Sequence, residues 1–311
     1  MARTRFVPDT GLTVRMTTVM FLLGGLFVAL IVALIYVVPP GLAVFVGIAG
    51  LGVAWWQWWN SDKLAVRAMG AREVSPTDAP ELHGMIDRLC VMADMKKPRV
   101  AIADSPIPNA FATGRSTDRA LVCVTTGILQ TLDAEELEGV LAHELSHVAH
   151  RDVLVMTVAA SAGIVAGMVT RGAQYGFMFG GGGNGRRDSN DNNNGGGAAA
   201  LVIALVVSLV VYAISFFLTR LLSRYRELCA DRSGVYLTQK PAALASALRK
   251  ISGEMNAVPE RDLRAAQSMN AFFIAPAIKG ASLGALTSTH PPLEQRLDQL
   301  AKIAASLGKP F

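Results

Sequence analysis

Four stretches of this 311-residue chain carry no charged side chain: residues 16–38, 42–59, 153–170 and 198–219. Lipid offers a backbone no hydrogen-bond partners, so an apolar run of about twenty residues crosses a bilayer as a helix. The whole chain is 51% hydrophobic and 17% charged, with a mean hydropathy of +0.37. That excludes an ordinary soluble enzyme and implies membrane helices with an appended globular part. The first run is long for a signal peptide, and a second follows directly after Pro39-Pro40-Gly41, so both read as retained helices joined by a tight turn. Trp55, Trp56, Trp58 and Trp59 close the second run, as an interfacial belt or a buried aromatic cluster. The third and fourth runs flank a Gly/Asn-rich loop at 180–197 and read as a second membrane hairpin, with a buried core hairpin as the alternative. No run embeds a carboxylate or lysine, which argues against an ion-conducting path.

If all four runs span, Arg15, Lys63, Arg67, Arg151, Arg220, Arg224 and Arg226 fall on one side, which the positive-charge rule makes cytoplasmic. The net charge of +5 comes with no basic run interleaved with aromatics, so no nucleic-acid partner is expected. The glycines of the loop follow no strand and precede no G-K-[ST], so no nucleotide is expected either. Cys90, Cys123 and Cys229 form no C-x-x-C pair and read as reduced thiols.

The chemistry lies between the hairpins. His143-Glu144-Leu145-Ser146-His147 places two imidazoles one helical turn apart on one face, where both reach one metal ion. The intervening glutamate is placed to deprotonate an attacking water. This is the H-E-x-x-H pattern of zinc peptidases. Asp133 and Glu136 form a capping box that starts the helix near Ala134, and Leu137, Val140, Leu141, Leu145 and Val148 give it a buried stripe. Ahead of it, residues 78–95 read as a helix and 99–103, 111–113 and 120–125 as short strands, the last two joined by the polar turn 114–119. An edge strand there would pair with an extended substrate peptide.

A tetrahedral zinc needs a third protein ligand. Glu227 and Asp231 are four residues apart after the fourth run, so a helix points both carboxylates to one side. Glu227 is the expected ligand, and Asp231 is placed to accept a hydrogen bond from the far nitrogen of a ligand histidine. The competing reading pairs Glu227 with neighbouring arginines. His150 is off the shared face, and no H-x-x-G-x-x-H continuation supplies a third histidine.

With these features, Asn109-Ala110-Phe111-Ala112, Arg226-Glu227-Leu228-Cys229-Ala230-Asp231 and Thr289-His290-Pro291-Pro292, the chain resembles the HtpX-type bacterial membrane metalloproteases, relatives of the CAAX prenyl proteases, over nearly its whole length. The resemblance implies an α+β zincin-type (gluzincin) domain, mainly helical, with about four transmembrane helices. It also implies one Zn2+ on His143, His147 and Glu227, with Glu144 as general base and Asp231 behind a ligand. Asn109 would contact the substrate backbone, and His290 and Arg296 would face the cleft, His290 stabilising the oxyanion. A second Asn-Ala-Phe at Asn270-Ala271-Phe272 is given no role, and Leu228 stands where relatives often carry an aromatic residue.

The expected organisation is a membrane hairpin at 1–60, the first part of the protease domain at 61–152, a second hairpin at 153–219 with helices near 153–171 and 198–219, and the rest of the protease domain at 220–311. The expected function is an endopeptidase in the bacterial plasma membrane, cutting damaged or misassembled membrane proteins from the cytoplasmic side. The alternatives are a dedicated processing protease of the CAAX type and a non-enzymatic zinc-binding scaffold. Glu144 argues against the scaffold, because a structural site needs no base.

Overall fold

The computed structural model describes residues 10–37, 40–180, 194–257 and 290–311. Residues 1–9, Pro39, most of the Gly/Asn loop, Asn270-Ala271-Phe272 and Thr289 lie outside that set. The chain divides into two compact units, one made of residues 1–13, 58–155 and 220–311, the other of residues 14–57 and 156–219.

The second unit holds α1 (Thr10–Val37), α2 (Pro40–Trp59), most of α7 (Asp152–Gly180) and the first part of α8 (Asn194–Thr238). Its interior is a small cluster around Leu30, Leu34, Val165, Ala166, Ala204 and Val211. A small residue lets the helices meet here: a Cβ on Gly50 would collide with Val165 Cγ2. Thr170 and Ser208 bridge α7 and α8 through their hydroxyls at 2.9 Å. Its outer faces carry Phe21, Phe45, Ile48, Val206 and Phe217 exposed, a surface suited to lipid. Among the described residues three helical stretches are long and apolar enough to cross a membrane: Thr13–Ile35, Asp152–Arg171 and Val202–Thr238. The run at 42–59 forms the 20-residue helix α2, but its first side chains lie outside the described set. The helices also reach into the expected loop, α7 ending at Gly180 and α8 starting at Asn194.

The first unit is built on a four-stranded sheet of order β1-β2-β4-β3, with β1 (Ala71–Glu73), β2 (Arg99–Ala103), β3 (Ala110–Thr113) and β4 (Leu121–Thr125). β2 and β4 run parallel, while β1 and β3 are antiparallel edge strands. All five residues of β4 are buried, as befits a central strand covered on both faces. Its Leu121 and Cys123 pack with Phe111, Ala101 and Ala65 of α3 (Ser61–Ala68). Val122 and Val124 face the main core, with Leu82, Ile86 and Leu89 of α4 (Pro80–Ala93) and Val140, Leu141 and Leu145 of α6 (Ala134–Ala149). Leu141 and Leu145 are fully buried, each contributing about 1.5–3 kcal/mol of burial. The short α5 (Thr126–Thr131) links β4 to α6, while α9 (Pro241–Ala257) and α10 (Leu293–Leu307) pack together, α9 also against α6. All three cysteines are buried and none forms a disulfide; burial pushes the Cys90 thiol up to about 11 and that of Cys123 up to about 12, leaving these two unreactive.

Candidate metal centre

Helix α6 starts where its cap directs. Asp133 Oδ1 accepts the N–H groups of Glu135 and Glu136 at 2.9 Å, and Glu136 Oε2 accepts the N–H of Asp133 at 3.0 Å. Glu136 also accepts Ser246 Oγ at 2.6 Å and Lys250 Nζ at 2.7 Å, so the cap ties α6 to α9. With the start fixed, His143 and His147 present their Nε2 atoms 3.2 Å apart.

The carboxylate of Glu227, from α8, closes the cluster. Its Oε1 is 3.4 Å from His147 Nε2 and its Oε2 is 3.6 Å from His143 Nε2. Ligands at about 2.0–2.1 Å from a tetrahedral zinc stand about 3.3–3.4 Å from one another. Taking one donor atom from each residue, the three lie within 4.8 Å of one another, so the set suits a divalent cation in its chemistry and its convergence. The approach of the two helices depends on Gly234. A Cβ there would lie 2.9 Å from His143 N and 3.2 Å from His143 Cα. Glu227, Asp231 and Gly234 follow one another at helical spacing on the face that meets α6.

Each histidine is backed by a carboxylate and each carboxylate by an arginine. His143 Nδ1 lies 2.9 Å from Asp231 Oδ1. Arg296 grips Asp231 with Nε on Oδ2 at 2.8 Å and a terminal nitrogen on Oδ1 at 2.6 Å. His147 Nδ1 lies 2.6 Å from Asp152 Oδ2, and the same oxygen is 2.6 Å from Arg226. His290 brings Nδ1 to 3.0 Å from Glu227 Oε2.

The model of "Peptidase family M48" matches residues 76–304, which takes in every one of these side chains. The chain belongs to this peptidase family. It is 51% identical over 308 residues to Protease HtpX homolog 1 of Streptomyces coelicolor, covering 99% of this chain and 97% of the relative. It is 48% identical over 298 residues to a Protease HtpX homolog of Moorella thermoacetica, covering 95% of each. Among solved structures it is similar to S. mikatae Ste24p, with a TM-score of 0.54 at 17% identity, over 93% of this chain and 65% of that one; the likeness is one of fold. The protein is thus a membrane metalloendopeptidase with a gluzincin-type fold, acting on polypeptides and holding a metal ion.

Within this family setting, the surroundings of Glu144 suit a base. Its carboxylate is buried, and Oε2 accepts the N–H of Ala112 on edge strand β3 at 2.9 Å. Burial raises its pKa above the usual carboxylate value, the direction a general base requires. Burial alone would push both histidines down, but Asp231 and Glu227 outweigh it at His143, and Asp152 and Glu227 bring His147 up to about 10. A metal must therefore displace protons from this site.

The remaining expected residues sit differently. Asn109 is fully buried immediately before β3, its backbone N–H donating to Thr125 Oγ1 at 2.9 Å. Arg296, expected at the cleft, is 2% exposed and held by Asp231, because an internal carboxylate is the strongest partner a guanidinium can find there. Arg226, counted above among charges flanking a membrane helix, is buried on Asp152. Asp152 and Gly234 had no part in the expected site. A carboxylate five residues beyond His147 was the only sequence signal for the first.

Proposed function

We propose that the protein is a zinc-dependent endopeptidase of the bacterial plasma membrane, cutting exposed segments of damaged or misassembled membrane proteins on the cytoplasmic side. The observation that carries the reading is the convergence of His143, His147 and Glu227 on one position, with Glu144 beside them. Imidazole and carboxylate donors suit zinc. A cation held there supplies Lewis acidity, polarising the peptide carbonyl and making water acidic near neutral pH. Glu144 takes the proton from the attacking water and returns it to the departing amine. The outer edge of β3 receives the extended substrate, placing its backbone next to Glu144. An oxyanion role for His290 falls to Nε2, since Nδ1 meets Glu227. Arg296 acts through Asp231.

We place four helices in the membrane, α2 included, and both termini in the cytoplasm, because Arg15, Lys63, Arg67, Arg151, Arg220 and Arg224 flank the ends that would share that side. The quality-control role is what the resemblance to the HtpX-type proteases implies. The test is removal of metal by dialysis against a strong chelator, then addition of one equivalent of Zn2+. Cleavage of unfolded casein is expected to vanish and return. Casein left uncut by the reloaded enzyme, with a prenylated C-terminal peptide cut, would favour the dedicated processing reading. Tight zinc binding with neither cut would favour the scaffold.

A further inference from the structure

We propose that Asp152 and Arg226 are positioning residues for His147: the carboxylate fixes the imidazole's tautomer and direction, and the guanidinium holds the carboxylate in place. The inference rests on the reading of His147 as a ligand.

Helical periodicity would not bring Asp152 to His147, since a side chain five residues on points away from it. The chain reaches it through a break. Helix α6 ends at Ala149, Arg151 takes φ +56°, and α7 starts at Asp152. A left-handed conformation is uncommon for a residue with a side chain. It turns the chain so that the Asp152 carboxylate meets Nδ1 at 2.6 Å. With Nδ1–H donated there, the lone pair of Nε2 faces the position shared with His143 Nε2 and Glu227.

A purely structural ion pair between Asp152 and Arg226 would not need the histidine. Here one carboxylate oxygen, Oδ2, meets both Nδ1 and the guanidinium, and both charged groups are buried. The pattern also repeats. His143, Asp231 and Arg296 line up in the same order on the other ligand, with His143 Nδ1 lying 2.9 Å from Asp231 Oδ1 but outside hydrogen-bond geometry. Arg226 directly precedes Glu227 on α8, so the clamp on His147 and the third ligand are set by one turn of one helix.

The test uses the full chain in detergent, with Zn2+ alone titrated in competition with a chromophoric chelator. The variants are Asp152→Asn, Asp152→Glu, the double variant Asp152→Asn/Arg226→Gln, and His147→Ala. Zinc binding is expected to weaken about 10–100-fold in Asp152→Asn and in the double variant, with part of the loss recovered by Asp152→Glu. At saturating zinc, kcat for casein should fall with KM unchanged. The double variant leaves no lone buried arginine, so its metal-free unfolding temperature separates folding from metal affinity. Lowered thermal stability with wild-type zinc affinity would reduce the pair to a structural role and overturn the proposal. If His147→Ala loses zinc while Asp152→Asn keeps it, this inference alone fails. If His147→Ala binds zinc like wild type, the ligand assignment falls and takes this inference with it.

Discussion

Gly234 sets how closely the helix bearing Glu227 meets the helix bearing His143 and His147, and replacing it with alanine tests that geometry quantitatively. The added Cβ would sit 2.9 Å from His143 N and 3.2 Å from both Ala142 C and His143 Cα. Comfortable contact is about 3.5–4.0 Å, and all three neighbours are backbone atoms that cannot swing aside. Helix α8 must therefore retreat by roughly 0.5 Å or more, and Glu227, two turns away on the same face, moves with it. Metal–ligand distances tolerate about 0.2 Å, so zinc affinity is expected to fall at least about tenfold. Stability changes less, because overpacking costs about 1–3 kcal/mol while replacing a helical glycine returns about 1 kcal/mol. Chelator competition and thermal unfolding read the two effects separately. Gly253→Ala is the control: among the described residues nothing beyond its own helix backbone lies within 4 Å of its Cβ position, so it should gain up to about 1 kcal/mol and leave zinc affinity alone. Wild-type zinc affinity in Gly234→Ala would refute the reasoning.

Other outcomes follow from the same contacts. In the metal-free protein His143 and His147 have raised pKa values, His147 up to about 10. The stabilisation is thus complete below about pH 6.5, the unfolded value, and is lost as pH rises through the folded values; unfolding temperatures of the metal-free protein from pH 6 to 10 should decline. Over the same window zinc binding should tighten, by up to about tenfold per pH unit for each proton displaced, as read by chelator competition. Asp133→Ala removes one half of the capping box and should cost about 0.5–2 kcal/mol in denaturant unfolding with zinc affinity retained. Leu145→Ala, at a fully buried position, should cost about 2–5 kcal/mol in the same assay.

The metal helix was legible because its signals are local: a cap with its reciprocal glutamate, an apolar stripe and two histidines one turn apart. Glu227 and Asp231 were legible for the same reason, as a pair at helical spacing on a helix that follows an apolar run. β2, β3 and β4 carried enough apolar residues between turns to be placed within a residue or so. β1 is three residues long, too short to show an alternation. What escaped depends on helix ends and on contacts between distant segments. Asp152 lies past a left-handed residue that no periodicity reveals. Gly234 reads in sequence as a weak point in a helix, and only the approach of α6 gives it a purpose. Arg226 was counted among membrane-flanking charges and Arg296 was expected at the cleft, because their acidic partners are remote in the chain.

The central claim is that Glu144 is the base of a peptide hydrolase whose metal it does not hold. Glu144→Gln keeps the shape of the side chain and removes its capacity to take a proton. Wild type and variant, each loaded with zinc, should be compared for metal content and for cleavage of unfolded casein. One zinc per chain is expected in both, with cleavage lower by about 10²–10⁴-fold in the variant. Equal cleavage by the two proteins would contradict the claim.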